Sequence, residues 1–340
     1  MRILSLGKRL DRPEYNDIFK ELDKFDDLEF SAVKEHDSND SPYISIKETN
    51  NLFSFFSKEA NLSYEKNQLR KILYKFSPEI IEIHAEPHHR LCHDIFLCCN
   101  DLGISPSFIL YPEKSLKDHL IYPYNNIRKN TLSRTSFIVL RNDSLKDQIK
   151  DSAFKNSFRK IPFPAYLIEK RKKDNDICNI LISIVNDLSE DVFEDLLSLS
   201  DYIQRLKFNI VGNIRIFKKL KKEGFNCDLF EDLSREEIIS LLSRTDIVLL
   251  DNDSSKNHNT LIPFTFFNKI PCLTTKSSEF SIDITTLDEY KLKKLILGDI
   301  DPFVEIINKA GKKAYKDFSA GKCAFETYEL YKFLFKTMIR

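Results

Sequence analysis

Apolar residues in this chain fall into short runs, and between the runs they recur every three or four positions. "RILSL" predicts a strand ending at Gly7, and "PEYNDIFKELDKF" predicts a helix opened by Pro13, whose fixed backbone angle suits a first turn. "LEFSAVKE" reads as the next strand, Asp37 to Pro42 as a polar loop, and Asn51 to Phe76 as a long helical region. A strand over Ile80 to His84 and a helix from Pro87 to Leu102, stopped by Gly103, come next. "SFILY" and "SFIVL" are strands, each followed by a helix: "KSLKDHL", then "DSLKDQIKDSAF" capped by Asp143 or Ser144. Alternating strand and helix is the signature of a parallel sheet with helices on both faces.

"RKIPFPAYLIEKRKKDND", Arg159 to Asp176, interrupts the alternation with prolines and a solvated charge run, and reads as a domain linker. Alternation then restarts: "ICNILISIV" (strand), "SEDVFEDLLSLSDYIQRL" (helix), "KFNIVG" (strand), "IRIFKKLKKEG" (helix), "FNCDLF" (strand), "SREEIISLLSR" (helix), "DIVLLD" (strand), "TLIPFTFFNK" (helix), "IPCLTT" (strand). From Thr285 the chain reads as helical to an amphipathic last helix, "AFETYELYKFLFKTMIR". The expected fold class is α/β, with two doubly wound Rossmann-like domains facing a cleft. Residues 1–162 form the first domain, 163–320 the second, and 321–340 a C-terminal helix that packs back toward the first. A hinge is expected around Pro162 to Lys173. The length of 340 residues suits two domains of about 150 residues each.

Composition narrows the partners. Lys plus Arg and Asp plus Glu both number 52, so there is no global basic field of the kind that gathers nucleic acid by counterion release. The seven cysteines are scattered, lack any CxxC pair and in several cases sit inside apolar runs, which suits reduced thiols in a cytoplasmic protein. No run approaches the roughly 18 apolar residues that span a bilayer. The basic runs "KKLKKEG" and "EKRKKDND" read first as solvated faces, and they leave peripheral contact with a membrane open. Few glycines and many Lys, Asn, Ile and Phe point to a codon bias toward A and T, which erodes glycine motifs.

Candidate chemistry concentrates in two places. In "PEIIEIHAEPHHRL" a strand ends and a helix begins, which is where open α/β sheets bind ligands. His84, Glu86 and His88 are close in sequence and His89 and His93 are four apart, so a metal site is geometrically open; without a HExxH pattern none is assigned. Glu86 is either a cap, stabilised by roughly 0.3 to 1 kcal/mol at a helix start, or with His88 an acid–base group for an acceptor hydroxyl. In "DNDSSKNHNTLIP" a strand end, a polar loop and a helix start place Asn257, His258, Asn259 and Thr260 where unpaired N–H groups can face a diphosphate. The alternative is a surface loop with Thr260 as an N-cap.

Three stretches resemble the GT-B glycosyltransferases, in particular the retaining glycosyltransferase family 4. "KFSPEIIEIHAEPHHRL" is similar to the family's K-P-D-I-I-H-x-H-x-x-P, and "KFNIVGN" to its L-x-I-V-G-x-G. "SREEIISLLSRTDIVLLDNDSSKNHNTLIPFTFFNKIPCLTT" is similar to its closing donor-site segment. The resemblance implies transfer of a sugar from a nucleotide-sugar to a glycan or lipid-linked acceptor, as in polysaccharide biosynthesis, with no cofactor beyond the donor. It further implies that Gly7, Lys8 and Gly212 join residues 257–260 on the donor. Leu229 and Phe230 would neighbour the base, with apolar packing as the alternative. Glu86, His88 and Glu113 would lie on the acceptor side, Glu113 following Pro112 where many relatives keep a histidine or glutamine. The chain departs from the pattern elsewhere as well. Lys256 and Phe264 replace the family's two donor-site glutamates, Lys269 replaces the glycine before the last strand, and Asn186 and Asp187 stand for a basic pair. Two further expectations therefore accompany transfer: a binding or regulatory protein that keeps the fold without the chemistry, and a sugar-nucleotide epimerase.

Overall fold

The apolar runs become parallel strands. The structure, a computed structural model, describes residues 1–7, 10, 13–34, 43–46, 48–50, 60, 62–112, 122–141, 157–170, 177–184, 202, 204–231, 233, 235–250, 258–274 and 279–338. In the first sheet β3 (Tyr43–Ser45), β2 (Glu29–Lys34), β1 (Arg2–Gly7), β6 (Ile80–His84), β7 (Ser107–Leu110), β8 (Phe137–Leu140) and β9 (Ser157–Lys160) lie in that order, each pair parallel. In the second, β12 (Asn226–Phe230), β11 (Leu206–Val211), β10 (Cys178–Ser183), β13 (Ile247–Leu250), β14 (Cys272–Thr274) and β15 (Ile282–Asp283) do the same. Every residue of β6 and of β13 is buried, because a parallel sheet is covered by helices on both faces. The fold class is thus the expected one, two Rossmann-like α/β sheets in succession.

Ten helices are described: α1 (Pro13–Leu22), α2 (Lys66–Phe76), α3 (Arg90–Leu102), α4 (Tyr124–Arg134), α5 (Ile214–Lys222), α6 (Arg235–Leu242), α7 (His258–Phe267), α8 (Glu289–Ile296), α9 (Val304–Phe318) and α10 (Ala320–Met338). The chain divides into two compact units, Met1–Pro164 with Ala320–Arg340, and Ala165–Ser319. In the first unit, Leu4, Leu6, Ile81 and Ile83 pack against Leu69 and Leu73 of α2 and Ile95 and Phe96 of α3. Alternation turns Ile3, Ile80, Ile109 and Val139 to the other face, under Phe19 of α1 and Ala324, Leu330 and Tyr331 of α10. In the second unit α5, α8 and α9 cover one face and α6 and α7 the other.

Several elements differ from the sequence reading. The long helix expected over 51–76 is a helix only from Lys66; before it β4 (Glu48–Asn50) pairs antiparallel with β5 (Leu62–Tyr64). α3 begins at Arg90 and not at Pro87, because His89 keeps an extended backbone (φ −69, ψ 142) and its N–H closes a turn onto Glu86 O (2.9 Å). Gly103 ends α3 with φ +66, as its position predicted. Part of the linker sequence is sheet, since β9 pairs with β8 through Arg159 and Lys160. The helices expected over 114–120 and 143–154, and nearly all of that over 189–206, lie outside the described residues. All seven cysteines are buried as free thiols, and burial pushes those of Cys92, Cys99 and Cys272 up to about 12.

Candidate functional site

Parallel strands end together, so the C-terminal ends of β1, β6, β7 and β8 gather one set of side chains at one edge of the first sheet. Alternation along β6 sends Glu82 and His84 to the face covered by α1 and α10. Glu82, 2% exposed, accepts a short hydrogen bond from the Tyr111 hydroxyl, and His84 Nε2 lies 3.4 Å from its carboxylate. The other ring nitrogen of His84 is 3.2 Å from the Tyr15 hydroxyl, and the imidazole stacks on the Tyr111 ring at 4.3 Å. Arg141, just past β8, donates to Ile161 O (3.1 Å), and its guanidinium lies 4.7 Å from the ring centres of both Tyr111 and Phe163.

The electrostatics follow from burial and pairing. Burial opposes the charge on Glu82, yet hydrogen bonding and charge from His84, with the phenols of Tyr111 and Tyr331, outweigh it and hold the carboxyl below its ordinary range. Burial and then the neighbouring Glu82 charge push the Tyr111 phenol well up, so it stays protonated as a donor. This cluster escaped the sequence reading because it converges from several separate segments. One signal was present: a carboxylate inside the apolar run "IIEIH" requires partners.

The predicted turn lies immediately beyond. Ala85, Glu86 and Pro87 are buried, and Glu86 O receives both His89 N–H and the Cys92 thiol (3.5 Å). His88 is half-buried, with its ring perpendicular to those of His89 (4.9 Å) and Tyr124 (6.4 Å). His89 is the N-cap of α3, with extended backbone, and His93 is inside the helix. Among the described residues no group of three His, Cys, Asp or Glu side chains is placed to hold a metal. Gly7 gives its N–H to the Tyr64 hydroxyl (3.0 Å) and its carbonyl accepts from the same hydroxyl (2.9 Å). Its amide and carbonyl are thus both engaged by Tyr64, at the C-terminal end of β1. A Cβ at Gly7 would meet His84 Cβ at 2.6 Å, which is why glycine stands there. Lys8 and Glu113 lie outside the described residues.

In the second unit the strand ends present different groups. Gly212, exposed with φ +76, closes β11 and donates to Phe230 O (2.8 Å). Asn213 caps α5 by accepting from Arg215 N and Ile216 N (both 3.1 Å), and donates to Ile184 O (3.2 Å), which ties the end of β10 to that helix. Leu229 and Phe230 point to opposite faces of β12, each packed against a different core. The helix is already under way at His258, so Thr260 belongs to its first turn and is not its cap. Asn257, Lys256, Asn186 and Asp187, and the side chains of residues 258–260, lie outside the described residues. Phe264, which stands where the resemblance would put the second donor-site glutamate, is 1% exposed and edge-on to Tyr166 at 5.0 Å. Lys269, at the place of the family's glycine, has φ +53.

Two successive parallel sheets, each flanked by helices, are the two Rossmann-like halves from which the GT-B class of fold is built. Among solved structures the chain is similar to a glycosyltransferase from Rickettsia africae (14% identity, 98% of each chain covered, TM-score 0.57). It is likewise similar to HepE from Anabaena in complex with UDP-glucose (9% identity, 97% of this chain and 99% of that one, TM-score 0.55). A UDP-N-acetylglucosamine 2-epimerase also matches (12% identity, 99% and 97% covered, TM-score 0.50). At these identities the likeness is one of fold alone, and it does not single out family 4. No protein-family model matches the chain, and no curated protein matches it in sequence. Among the described residues no helix is long and apolar enough to cross a membrane.

Proposed function

We propose that the chain is a nucleotide-sugar-dependent glycosyltransferase of the GT-B type, acting on a glycan or lipid-linked acceptor with no cofactor beyond its donor. The observation that carries this reading is the fold likeness over nearly the whole chain, both sheets included, to a glycosyltransferase and to a protein bound to UDP-glucose. In the second unit, the first turn of α7 holds the diphosphate, with Asn257, His258, Asn259 and Thr260 donating to it, and the turn at Gly212 lies beside it without giving its own N–H, which Phe230 O accepts. Either Leu229 or Phe230 borders the base. In the first unit, Glu86 or His88 takes the proton of the acceptor hydroxyl. The acceptor oxygen forms the new bond to the sugar's anomeric carbon, the bond from that carbon to the phosphate oxygen breaks, and the nucleoside diphosphate leaves with the electron pair.

A second reading, nucleotide-sugar binding without turnover, is favoured by Phe264, because a phenyl ring packed in the core cannot replace a carboxylate on the ribose. Calorimetry with UDP, UDP-glucose and UDP-N-acetylglucosamine, followed by assays of UDP release with and without oligosaccharide acceptors, separates the readings. Binding with acceptor-dependent release supports transfer. Binding without release supports the second reading, and interconversion of the UDP-sugars with no acceptor supports an epimerase. Failure to bind any of a panel of nucleotide-sugars overturns the proposal.

A further inference from the structure

The first unit carries another concavity, at the edge of its sheet opposite the turn after β6. Strands β7, β8 and β9 begin at Ser107, Phe137 and Ser157, and with the last turns of α10 they line an open cleft of about 470 Å³. That volume falls within the range of small-ligand sites, about 300 to 1,000 Å³. We propose that this cleft binds a neutral polyhydroxylated ligand, a short glycan segment, at a site separate from the one that carries out the proposed reaction.

Three observations point to that chemistry. The first is the hydroxyl lining. Ser133 and Thr337 spend their protons on the carbonyls of Asn130 (2.9 Å) and Leu334 (2.7 Å), which leaves their oxygens to the cleft as acceptors. Ser136 Oγ instead accepts from Phe108 N (3.4 Å) and keeps its proton to give. A cleft with both acceptors and donors suits sugar hydroxyls, which do both, and it disfavours a purely apolar ligand, which would strip these groups of water without replacing their hydrogen bonds.

The second observation is the apolar wall. Phe333 is 54% exposed and Met338 41% exposed, on the same cleft. A ring half in water offers a flat surface to the C–H face of a pyranose, and covering it removes apolar area from solvent. The third observation concerns charge. Among the described residues Arg134 is the sole ionisable side chain lining the cleft; one of its terminal nitrogens donates to Asn100 Oδ1 (3.2 Å), and its guanidinium lies 5.4 Å from the Phe96 ring centre. That bond uses one of the guanidinium's five N–H donors and leaves others for sugar hydroxyls, and among the described lining residues no second cation joins Arg134 to clamp an anion, which favours a neutral ligand.

The test is saturation-transfer NMR with maltotetraose, cellotetraose and chitotetraose on the full chain. The expected result is saturable binding of at least one probe in the millimolar range, weakened about tenfold by Phe333→Ala, the size of one aromatic contact. Ser157→Glu, which puts a charge at the mouth of the cleft, should weaken it as well. Both positions are exposed, so both variants should keep the wild-type melting curve, and Ser157→Glu provides the test if Phe333→Ala does not. UDP binding, measured separately, should be unchanged in both, so failure here is distinguishable from failure of the transferase reading. The inference is overturned if no probe saturates, if correctly folded variants bind a probe as well as wild type, or if inorganic phosphate binds at Arg134 while sugars do not.

Discussion

A carboxylate in the middle of a buried strand stays ionised only if its neighbours compensate for lost water, and Glu82 has His84, Tyr111, Tyr331 and, further off, Arg141 around it. Its folded-state pKa lies below its unfolded value, so between the two the unfolded chain binds more protons and stability rises with pH. The contribution is in place above the ordinary carboxyl range and is lost as pH falls through the folded-state value. Glu82→Gln should therefore cost about 3 to 5 kcal/mol at neutral pH, and Tyr111→Phe about 1.5 to 3 kcal/mol, with both deficits shrinking in acid. Urea unfolding across a pH series measures this, and a loss that is the same at neutral and acid pH would show that Glu82 is not ionised in the fold. Glu86 and His88 lie in the turn beyond this cluster. If either one handles the acceptor proton, Glu86→Gln or His88→Ala should cut turnover by about 100- to 10,000-fold with donor affinity unchanged. Full turnover in both variants would make the turn structural. The turn was legible as a strand end beside polar residues, whereas the Glu82 cluster was not, since Tyr15, Tyr111, Arg141 and Tyr331 have no sequence proximity to it.

At the level of elements, what could be read depended on burial. The strands β1, β6, β8, β10 and β13 announced themselves because a strand covered on both faces is nearly all apolar. By contrast β9 is exposed at all four residues, and its last two, Arg159 and Lys160, therefore read as the start of the linker. Helix α4 was hidden in another way: its buried positions include Arg128 and Thr131 beside Leu132, which breaks the apolar period that marks a helix. The end of α7 shows a departure from the family pattern becoming a backbone cost. Lys269 N bonds to Phe266 O (3.1 Å) and Ile270 N to Thr265 O (2.9 Å), the two bonds of a Schellman motif, with lysine in the left-handed position usually held by glycine. Lys269→Gly should thus stabilise the second unit by about 0.5 to 1 kcal/mol in denaturant unfolding. Gly311 of α9 makes room for the same lysine, since a Cβ there would sit 3.3 Å from Lys269 Cγ. Gly311→Ala should accordingly be better tolerated in the Lys269→Gly background than alone. Additive effects in that double-mutant cycle would show that the lysine stem is not what restricts residue 311.

At the scale of the whole molecule, the chain passes between its two units after Pro164 and again after Ser319. The sequence reading spread a hinge over Pro162 to Lys173, but most of the described part of that segment is tied down within one unit or the other. Pro162 O accepts from the Cys323 thiol (3.4 Å), and Phe163 packs edge-on to Tyr15 at 5.4 Å, both inside the first unit. Inside the second, Ala165 N donates to Phe318 O (2.8 Å). Asn268 accepts from Ile168 N (2.7 Å) and donates to Tyr166 O (3.0 Å) and Phe264 O (2.9 Å), which fixes the entering chain to α7. Since each unit has its own sheet with cores on both faces, thermal unfolding should proceed in two steps. Asn268→Ala removes the side chain that satisfies three buried or half-buried backbone groups and should destabilise the second unit by about 1 to 3 kcal/mol. Saturating UDP should raise the same transition if, as proposed, the donor nucleotide is held by residues of that unit. Differential scanning calorimetry of wild type, Asn268→Ala and Tyr111→Phe, each with and without UDP, assigns the steps. The expected pattern is that Asn268→Ala and UDP move one transition in opposite directions while Tyr111→Phe moves the other. A single transition shifted by all three would mean that the two units unfold as one.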